Sequence, residues 1–339
     1  MKVTISDIAK AANVAKSTVS KVLNDSPKIS QETKRKVRDI MKQMDYTPSS
    51  IATGLARQSS SNIGLLVDMS KESEFLNQFF YNIIGGIESV IGPQKYELTI
   101  SNVQHNNAEG HFLNRLVRSK RVDGIIANNS VLTNELSEEL NRLGFPYISI
   151  GEIMPSGSWV DFDNEMGGRM LTEHLLEQGY STIAFIGGEQ EERIYTHRIN
   201  GYLQALHQAG LTASNNWIVN GKADEYVSYQ LALALLQRED RPDSVVCMSS
   251  YVAFGVLQAA KELSIDVPAQ LGIAAFDEYP LSRYTTPPIT SLNIDTFKLG
   301  VSSGHLLMER IHSSDLSPHH LLLEPELIPR ESTLRKKFS

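Results

Sequence analysis

From Asn62 onward, short runs of apolar residues alternate with amphipathic stretches of helical length, and this alternation constrains the fold more than any other feature of the chain. Residues 63–67, 96–100, 124–127, 147–150, 182–186, 244–248 and 271–276 read as strands, and 79–91, 112–119, 136–143, 167–177, 199–209, 226–236 and 253–263 read as helices. Strands that are apolar throughout are buried on both faces, which requires parallel sheets with helices on each side. Two such halves create a crevice outside the carboxyl ends of the strands, where small ligands bind. The class is therefore α/β, with doubly wound parallel sheets.

Length and composition limit the alternatives. At roughly 150 residues per domain, a chain of 339 residues holds two or three domains. No run approaches the ~18 apolar residues needed to cross a bilayer, so no membrane partner is expected. The early acid Asp7 and the lack of an apolar core argue against a signal peptide at the N-terminus. Cys247 is the one cysteine, which excludes an internal disulfide and a multi-cysteine zinc site and fits a reducing cytosol. The expected location is cytoplasmic.

The net charge of −7 conceals a division. Residues 1–61 hold eleven Lys/Arg against five acids, a charge of +6, so residues 62–339 carry −13. A basic head on an acidic body points to a polyanion bound by the head alone. The head reads as three short helices. Thr4 caps the first, with Asp7 in its first turn and Ile5, Ile8, Ala9 and Ala12 facing inward. Asn13 tolerates the left-handed conformation of a tight turn. A second helix runs over 16–23 with Val19, Val22 and Leu23 inward, Asn24-Asp25-Ser26-Pro27 breaks it, and Ser30 caps a third carrying Val37, Ile40, Met41 and Met44. Two helices across a short turn, the second basic on its exposed side at Lys16, Ser17, Thr18 and Lys21, form a helix-turn-helix. Lys34 or Arg35 on the third helix is expected to meet phosphate.

Thr4-Ile5-x-Asp7-Ile8-Ala9-x-x-Ala12-x-Val14 followed by Thr18-Val19-Ser20-Lys21-Val22-Leu23-Asn24 closely resembles the DNA-binding head of the lac repressor (LacI/GalR) family, and Leu327-Ile328-Pro329-Arg330-Glu331-Ser332-Thr333 resembles that family's C-terminal strand signature. The resemblance thus covers essentially the whole chain. Two departures stand in the head. The family often has Gly where Asn13 stands and commonly Arg where Lys21 stands, and a lysine lacks the bidentate fork that reads a base edge. Thr4, Lys16, Ser17, Thr18, Ser20, Lys21, Asn24 and Ser30 are the head residues assigned to DNA.

After the head, Pro48 closes the helical bundle, Ser49 or Ser50 can cap a short helix, and Gln58-Ser59-Ser60-Ser61-Asn62 reads as a linker. So short a segment is not a stable helix alone in water. The resemblance implies a hinge helix that orders on DNA, with Ser50 near its start and Leu55 as an apolar wedge in the minor groove. Thr53 and Gly54 are poor helix formers at this point. The implied organisation is a head over 1–46, a hinge helix and linker over 47–61, and a two-lobed effector-binding and dimerisation domain over 62–339. That domain is similar to the periplasmic sugar-binding proteins. Its first lobe is expected at about 62–160 plus 291–320 and its second at about 161–290 plus 321–333.

For the effector, Arg198-x-x-Gly201-Tyr202 matches the family's R-x-x-G-[FYW], whose arginine forks onto ligand oxygens, and Asp277 matches the acid that accepts hydroxyl hydrogens. Phe79-Phe80 resembles an aromatic pair in the first strand–helix loop, with Phe79 assigned to the effector. Ser249-Ser250, followed by Tyr251, stands where the family usually has Asn-Asp, with Ser249 assigned to the effector, and Asp163-Asn164 matches a D-N pair near the domain crossover. Ala223 replaces a stacking aromatic of some sugar-binding members, leaving Tyr195, Trp159 or Tyr251 to offer a ring.

Enzyme motifs are absent or broken. Ala15-Lys16-Ser17-Thr18 lacks the upstream glycines of a phosphate loop, Asp161-x-Asp163-x-Glu165 has no calcium-loop glycine in place, and His319-His320 have no partners at metal-ligand spacing. No cofactor or metal is expected, and a sugar kinase lacks its phosphate loop. The expectation is a DNA-binding regulator, a repressor of carbohydrate genes, whose affinity for a near-palindromic operator follows a small sugar-like effector. The chain ends at Ser339 without a heptad tail, which favours a homodimer over a tetramer. The reading from another class, a stand-alone sugar-binding protein with no DNA role, leaves the basic head unexplained.

Overall fold

The computed structural model describes residues 3–46, 59–68, 78–103, 112–313 and 317–335. In the head, α1 (Ile5–Ala12), α2 (Lys16–Leu23) and α3 (Gln31–Gln43) close around Ile8, Ala12, Val19, Val22, Val37 and Met41. Each boundary has a local cause. The Thr4 amide and hydroxyl both donate to Asp7 Oδ2, at 3.0 and 2.7 Å, which satisfies the first turn and holds the Asp7 carboxyl below its ordinary range. Asn13 ends α1 at φ 55°, the left-handed value its short side chain tolerates. Ser30 caps α3 by accepting from the Thr33 amide at 3.3 Å.

The remainder of the described chain builds two six-stranded sheets. In the first, β1 (Asn62–Val67), β2 (Glu97–Asn102), β3 (Gly124–Asn128), β4 (Tyr147–Ile150), β5 (Trp159–Phe162) and β11 (His320–Leu323) run in the order β11-β5-β4-β3-β1-β2. β1 is parallel to both neighbours, with Ile63 opposite Leu98 and Gly124. Its flanking helices include α4 (Gln78–Ile91), the wide-turned α5 (Leu113–Arg118) and α6 (Asn134–Arg142).

In the second sheet, β6 (Ile183–Ile186), β7 (Ile218–Val219), β8 (Ser244–Cys247), β9 (Gly272–Ala275), β10 (Thr290–Asn293) and β12 (Glu326–Ile328) run in the order β12-β10-β9-β8-β6-β7. Ala184, Val245 and Ile273 lie side by side in parallel register, whereas β12 is antiparallel to β10 with Leu327 opposite Leu292. Helices α7 (Asn164–Glu177), α8 (Arg193–Gln208), α9 (Glu225–Leu236) and α10 (Ser250–Glu262) accompany this sheet, and α11 (Thr296–His312) follows β10. Its core, with Phe185, Tyr202, Val246, Val256 and Phe276 buried, is continuous. The architecture is the expected one of doubly wound, mostly parallel sheets.

The differences from the sequence reading have a common cause. β5 is missed because Asp161 interrupts its apolar run, and α8 starts at Arg193 rather than near 199 because Thr196, His197 and Arg198 hide the helical period. The glycine pairs Gly85-Gly86, Gly167-Gly168 and Gly187-Gly188 separate into two kinds. Gly86 and Gly168 sit where a Cβ would strike a neighbouring helix backbone, while Gly187 and Gly188 adopt φ 96° and 83° in a turn. Among the described residues, no helix is long and apolar enough to cross a membrane.

Candidate functional site

The head carries its chemistry on α2. Lys16, Ser17 and Lys21 are exposed, and Thr18, Ser20 and Asn24 are half-buried behind them. Thr4 and Ser30 are exposed, but their hydroxyls serve the caps of α1 and α3. Ser50 and Leu55 lie outside the described residues.

One expectation is corrected. Lys34 is 4% exposed, and its Nζ reaches both the Asp25 carbonyl and Asp25 Oδ1 at 3.0 Å. Arg38 adds a second contact to the carboxylate, on the same Oδ1 at 2.8 Å. Asp25 stands at φ 50°, and these partners, Lys34 first, hold its carboxyl below the ordinary value. Lys34 thus fastens the loop between α2 and α3 and has no side chain to spare for phosphate. Arg35 remains exposed. Lys34→Ala is expected to lower the melting temperature of the head, read by circular dichroism, without changing which DNA sequence is preferred.

A second constellation forms on the second sheet around Arg198. Helices α7 and α8 touch backbone to backbone. A Cβ on Gly168 would collide with the Arg198 carbonyl oxygen, and one on Gly201 would collide with the Glu165 carbonyl oxygen. That approach lets Asn164, in the first turn of α7, accept from Arg198 Nε at 2.9 Å. Arg198 is 5% exposed, and its guanidinium also donates to the Met248 carbonyl at 2.5 Å and to Asp277 Oδ1 at 3.2 Å. It lies 4.1 Å above the Phe276 ring centroid. Asn164 is in turn oriented by donating to the Phe162 carbonyl at 3.1 Å and to Asp161 Oδ1 at 3.4 Å. Burial pushes the Asp161 carboxyl up, against the pull of the Glu152 and Phe162 amides and of Arg198.

Asp277 follows β9 at φ 66°, a left-handed conformation that surrounding contacts must enforce. Buried Ser250 donates its hydroxyl to the Asp277 carbonyl. The next residue, Glu278, receives a two-pronged bond from Arg330 at 2.6 and 2.8 Å and a third from the Ser291 hydroxyl. Burial works to raise the Glu278 carboxyl, but Arg330 and Ser291 hold it below its ordinary range. Asn164, Ser250, Glu278 and Arg330 were not assigned roles from sequence. Arg330 does stand in the C-terminal signature, and Asn164 in the D-N pair.

Other expected contributors are placed elsewhere. Ser249 caps α10, accepting from the Val252 amide at 3.4 Å. Tyr195 is buried with its hydroxyl on Asn220 at 3.0 Å, and Trp159 is buried and stacked on His320 at 4.7 Å. Of the three rings, Tyr251 alone is exposed, 5.3 Å from Tyr279. Phe79 belongs to α4, and its side chain lies outside the described residues.

A feature the sequence did not signal joins the linker to the first sheet. Asp123, just before β3, accepts from Ser59 Oγ at 2.5 Å, the Ser60 amide at 2.8 Å, Ser60 Oγ at 2.9 Å and the Ser61 amide at 2.9 Å. Successive linker residues are thereby held on one carboxylate.

Comparison with known proteins agrees with this arrangement. Residues 4–49 match bacterial regulatory proteins of the lacI family, and residues 172–333 match the periplasmic binding protein-like domain. An HTH-type transcriptional repressor PurR from Vibrio atlanticus (strain LGP32) is 32% identical over 332 residues, covering 97% of this chain and 98% of that protein. A transcriptional regulator CelR solved with cellobiose is 26% identical with a TM-score of 0.72, over 98% of this chain and 100% of that one. The lac repressor dimer bound to operator and an anti-inducer shares the fold at a TM-score of 0.82 and 23% identity, over 99% of this chain and 100% of that one. With a helix-turn-helix head, a sensor of two doubly wound sheets and repressor relatives along its whole length, this chain belongs to the lacI family of bacterial DNA-binding transcriptional regulators.

Proposed function

We propose that this regulator is a cytoplasmic homodimeric repressor whose affinity for a near-palindromic operator is set by a small sugar-like effector held at Arg198 and Asp277. The pairing of Arg198 with Asp277 carries this reading. A guanidinium has five N–H donors, and three of those of Arg198 are engaged by Asn164, Met248 and Asp277. Two remain beside a carboxylate whose Oδ2 makes no hydrogen bond with a described residue. A ligand hydroxyl accepts from the first and donates to the second, and adjacent hydroxyls suit a fixed fork. The cellobiose complex of a relative supports a sugar in this role. No catalytic role is assigned to the chain.

Residues 1–46 act as the head, 47–61 as hinge and linker with Ser50 and Leu55 at the DNA, and 62–339 as effector and dimerisation domain. Tyr226, Leu281 and Tyr284 are exposed at 72, 55 and 76%, large apolar side chains of the kind that a second copy covers. In the head, Lys16, Ser17 and Lys21 read base edges, with Thr18, Ser20 and Asn24 supporting them. Lys16→Ala is expected to change the consensus recovered by binding-site selection, at about 1–3 kcal/mol for a lost good contact. An unchanged consensus removes Lys16 from base reading. The effector reading is tested by calorimetry with a panel of sugars, paired with anisotropy on operator DNA. The expected result is that a sugar that binds also shifts operator affinity.

A further inference from the structure

The edge of the first sheet from which its strands start is unlike the rest of the acidic body. Asn62, Glu97 and Gly124 begin β1, β2 and β3 in parallel register, so the segments before them share one edge. The Glu97 amide donates to the Ser61 carbonyl at 3.0 Å and the Asp123 amide to the Asn62 carbonyl at 2.8 Å. A cavity of 640 Å³ at this edge is lined in part by Ser59, Tyr96, Lys120, Asp123 and Phe145.

Four cations, Lys95, Arg118, Lys120 and Arg121, stand on these segments, and a fifth, Arg142 at the end of α6, joins them through Glu139. Arg118 and Arg142 share the Glu139 carboxylate and so contribute one net charge. Lys95, Lys120 and Arg121 are exposed, with no salt bridge to a described residue. Lys95 and Lys120 stand at φ 65° and 53°, each closing the turn that leads into its strand. Three further carboxylates lie here: exposed Glu97, exposed Glu88 with its Oε2 beside Gly92, and Asp123, whose four linker donors are neutral and leave its charge in place. Five cations thus face four carboxylates, an excess of one positive charge, whereas residues 62–339 together carry −13.

This same edge receives the linker. Thirteen peptide steps separate Tyr46, the last described residue of the head, from Ser59, and that span is at most about 45 Å when extended. Whatever duplex the head holds therefore stays within a short tether of Lys95, Lys120 and Arg121. An acidic body so tethered repels DNA unless its near edge is of opposite sign.

We infer that this edge is a second, sequence-independent DNA surface, on which Lys95, Lys120 and Arg121 meet phosphates flanking the operator. The inference rests on the head holding DNA. It predicts a dependence on duplex length that the head alone does not produce, because phosphates beyond the operator add counterion release without adding base contacts.

The test uses the full chain and its Lys95→Gln/Lys120→Gln/Arg121→Gln variant. Each is titrated by anisotropy at several salt concentrations on a duplex limited to the operator and on the same operator with long random flanks. For the wild type, the flanked duplex is expected to bind more tightly and with a steeper salt dependence. The variant is expected to bind the flanked duplex about 3- to 10-fold more weakly, its log–log salt slope falling by about 0.9 per lost phosphate contact, and to match the wild type on the short duplex. Equal binding of the two proteins to both duplexes overturns the inference. So does an equal loss on both lengths, which places the effect in the linker rather than on flanking DNA. An unchanged melting temperature verifies that the variant folds. A wild type that binds neither duplex is a failure of the head reading instead.

Discussion

Arg198→Lys is expected to weaken effector binding by about 10- to 100-fold while operator affinity without effector stays within about twofold of wild type. The substitution keeps a positive charge near Asp277 but removes the fork. In the native site one planar group reaches the Asn164 side chain, the Met248 carbonyl and Asp277 at once, stacked on Phe276. An ammonium is a point donor and cannot satisfy three directions while holding two N–H groups toward a ligand. The operator is contacted from the head, so its affinity changes only through whatever linkage the effector drives. Calorimetry with the effector sugar and anisotropy on operator DNA read the two arms. Wild-type effector affinity in Arg198→Lys contradicts the assignment.

Gly201→Ala is the second large expected effect: a loss of about 1–3 kcal/mol of sensor stability, together with a weakened effector response. Helix propensity alone favours alanine by up to ~1 kcal/mol, so the sign depends on what the added methyl meets. It meets backbone, the Glu165 carbonyl oxygen and the Arg169 amide, neither of which can rotate away. Helices α7 and α8 must therefore separate, and the separation draws Asn164 off Arg198 Nε. This gives the R-x-x-G spacing a physical reason. The arginine and the glycine three residues later lie on one face of α8, and the glycine permits the close approach that orients the arginine. Thermal unfolding of the variant reads the first effect and the effector-induced shift in operator affinity the second. A variant as stable as wild type would show that the two helices do not need this contact.

The parts of the molecule set by local chemistry were legible in the sequence. Thr4, Asn13 and Ser30 mark the helix boundaries of the head, where capping and the left-handed region leave few alternatives. The apolar strands 183–186 and 244–247 were equally plain, because both faces are covered. Residues whose role depends on distant partners were not legible. Lys34 reads as one more basic residue on a basic helix, and only the loop folded back at Asp25 makes it a buried clamp. Asp123 owes its place to the linker 62–64 residues away in sequence, and Glu278 to Arg330, 52 residues away. Arg198 and Asp277 both match the family pattern, but the contacts that hold them, from Asn164, Ser250 and Met248, come from three other segments.

Control of the head's affinity for DNA by a polyhydroxyl ligand at Arg198 and Asp277 can be read in a single experiment. It is tested most directly by one anisotropy titration of operator DNA, run with wild type, Asp277→Ala and Lys16→Ala in the absence and presence of a sugar that binds the wild type by calorimetry. The sugar is expected to shift the wild-type curve, and Asp277→Ala to bind operator normally without a shift. Lys16→Ala is predicted to bind operator more weakly yet still to shift. A sugar-induced shift of wild-type size in Asp277→Ala would contradict control from that site.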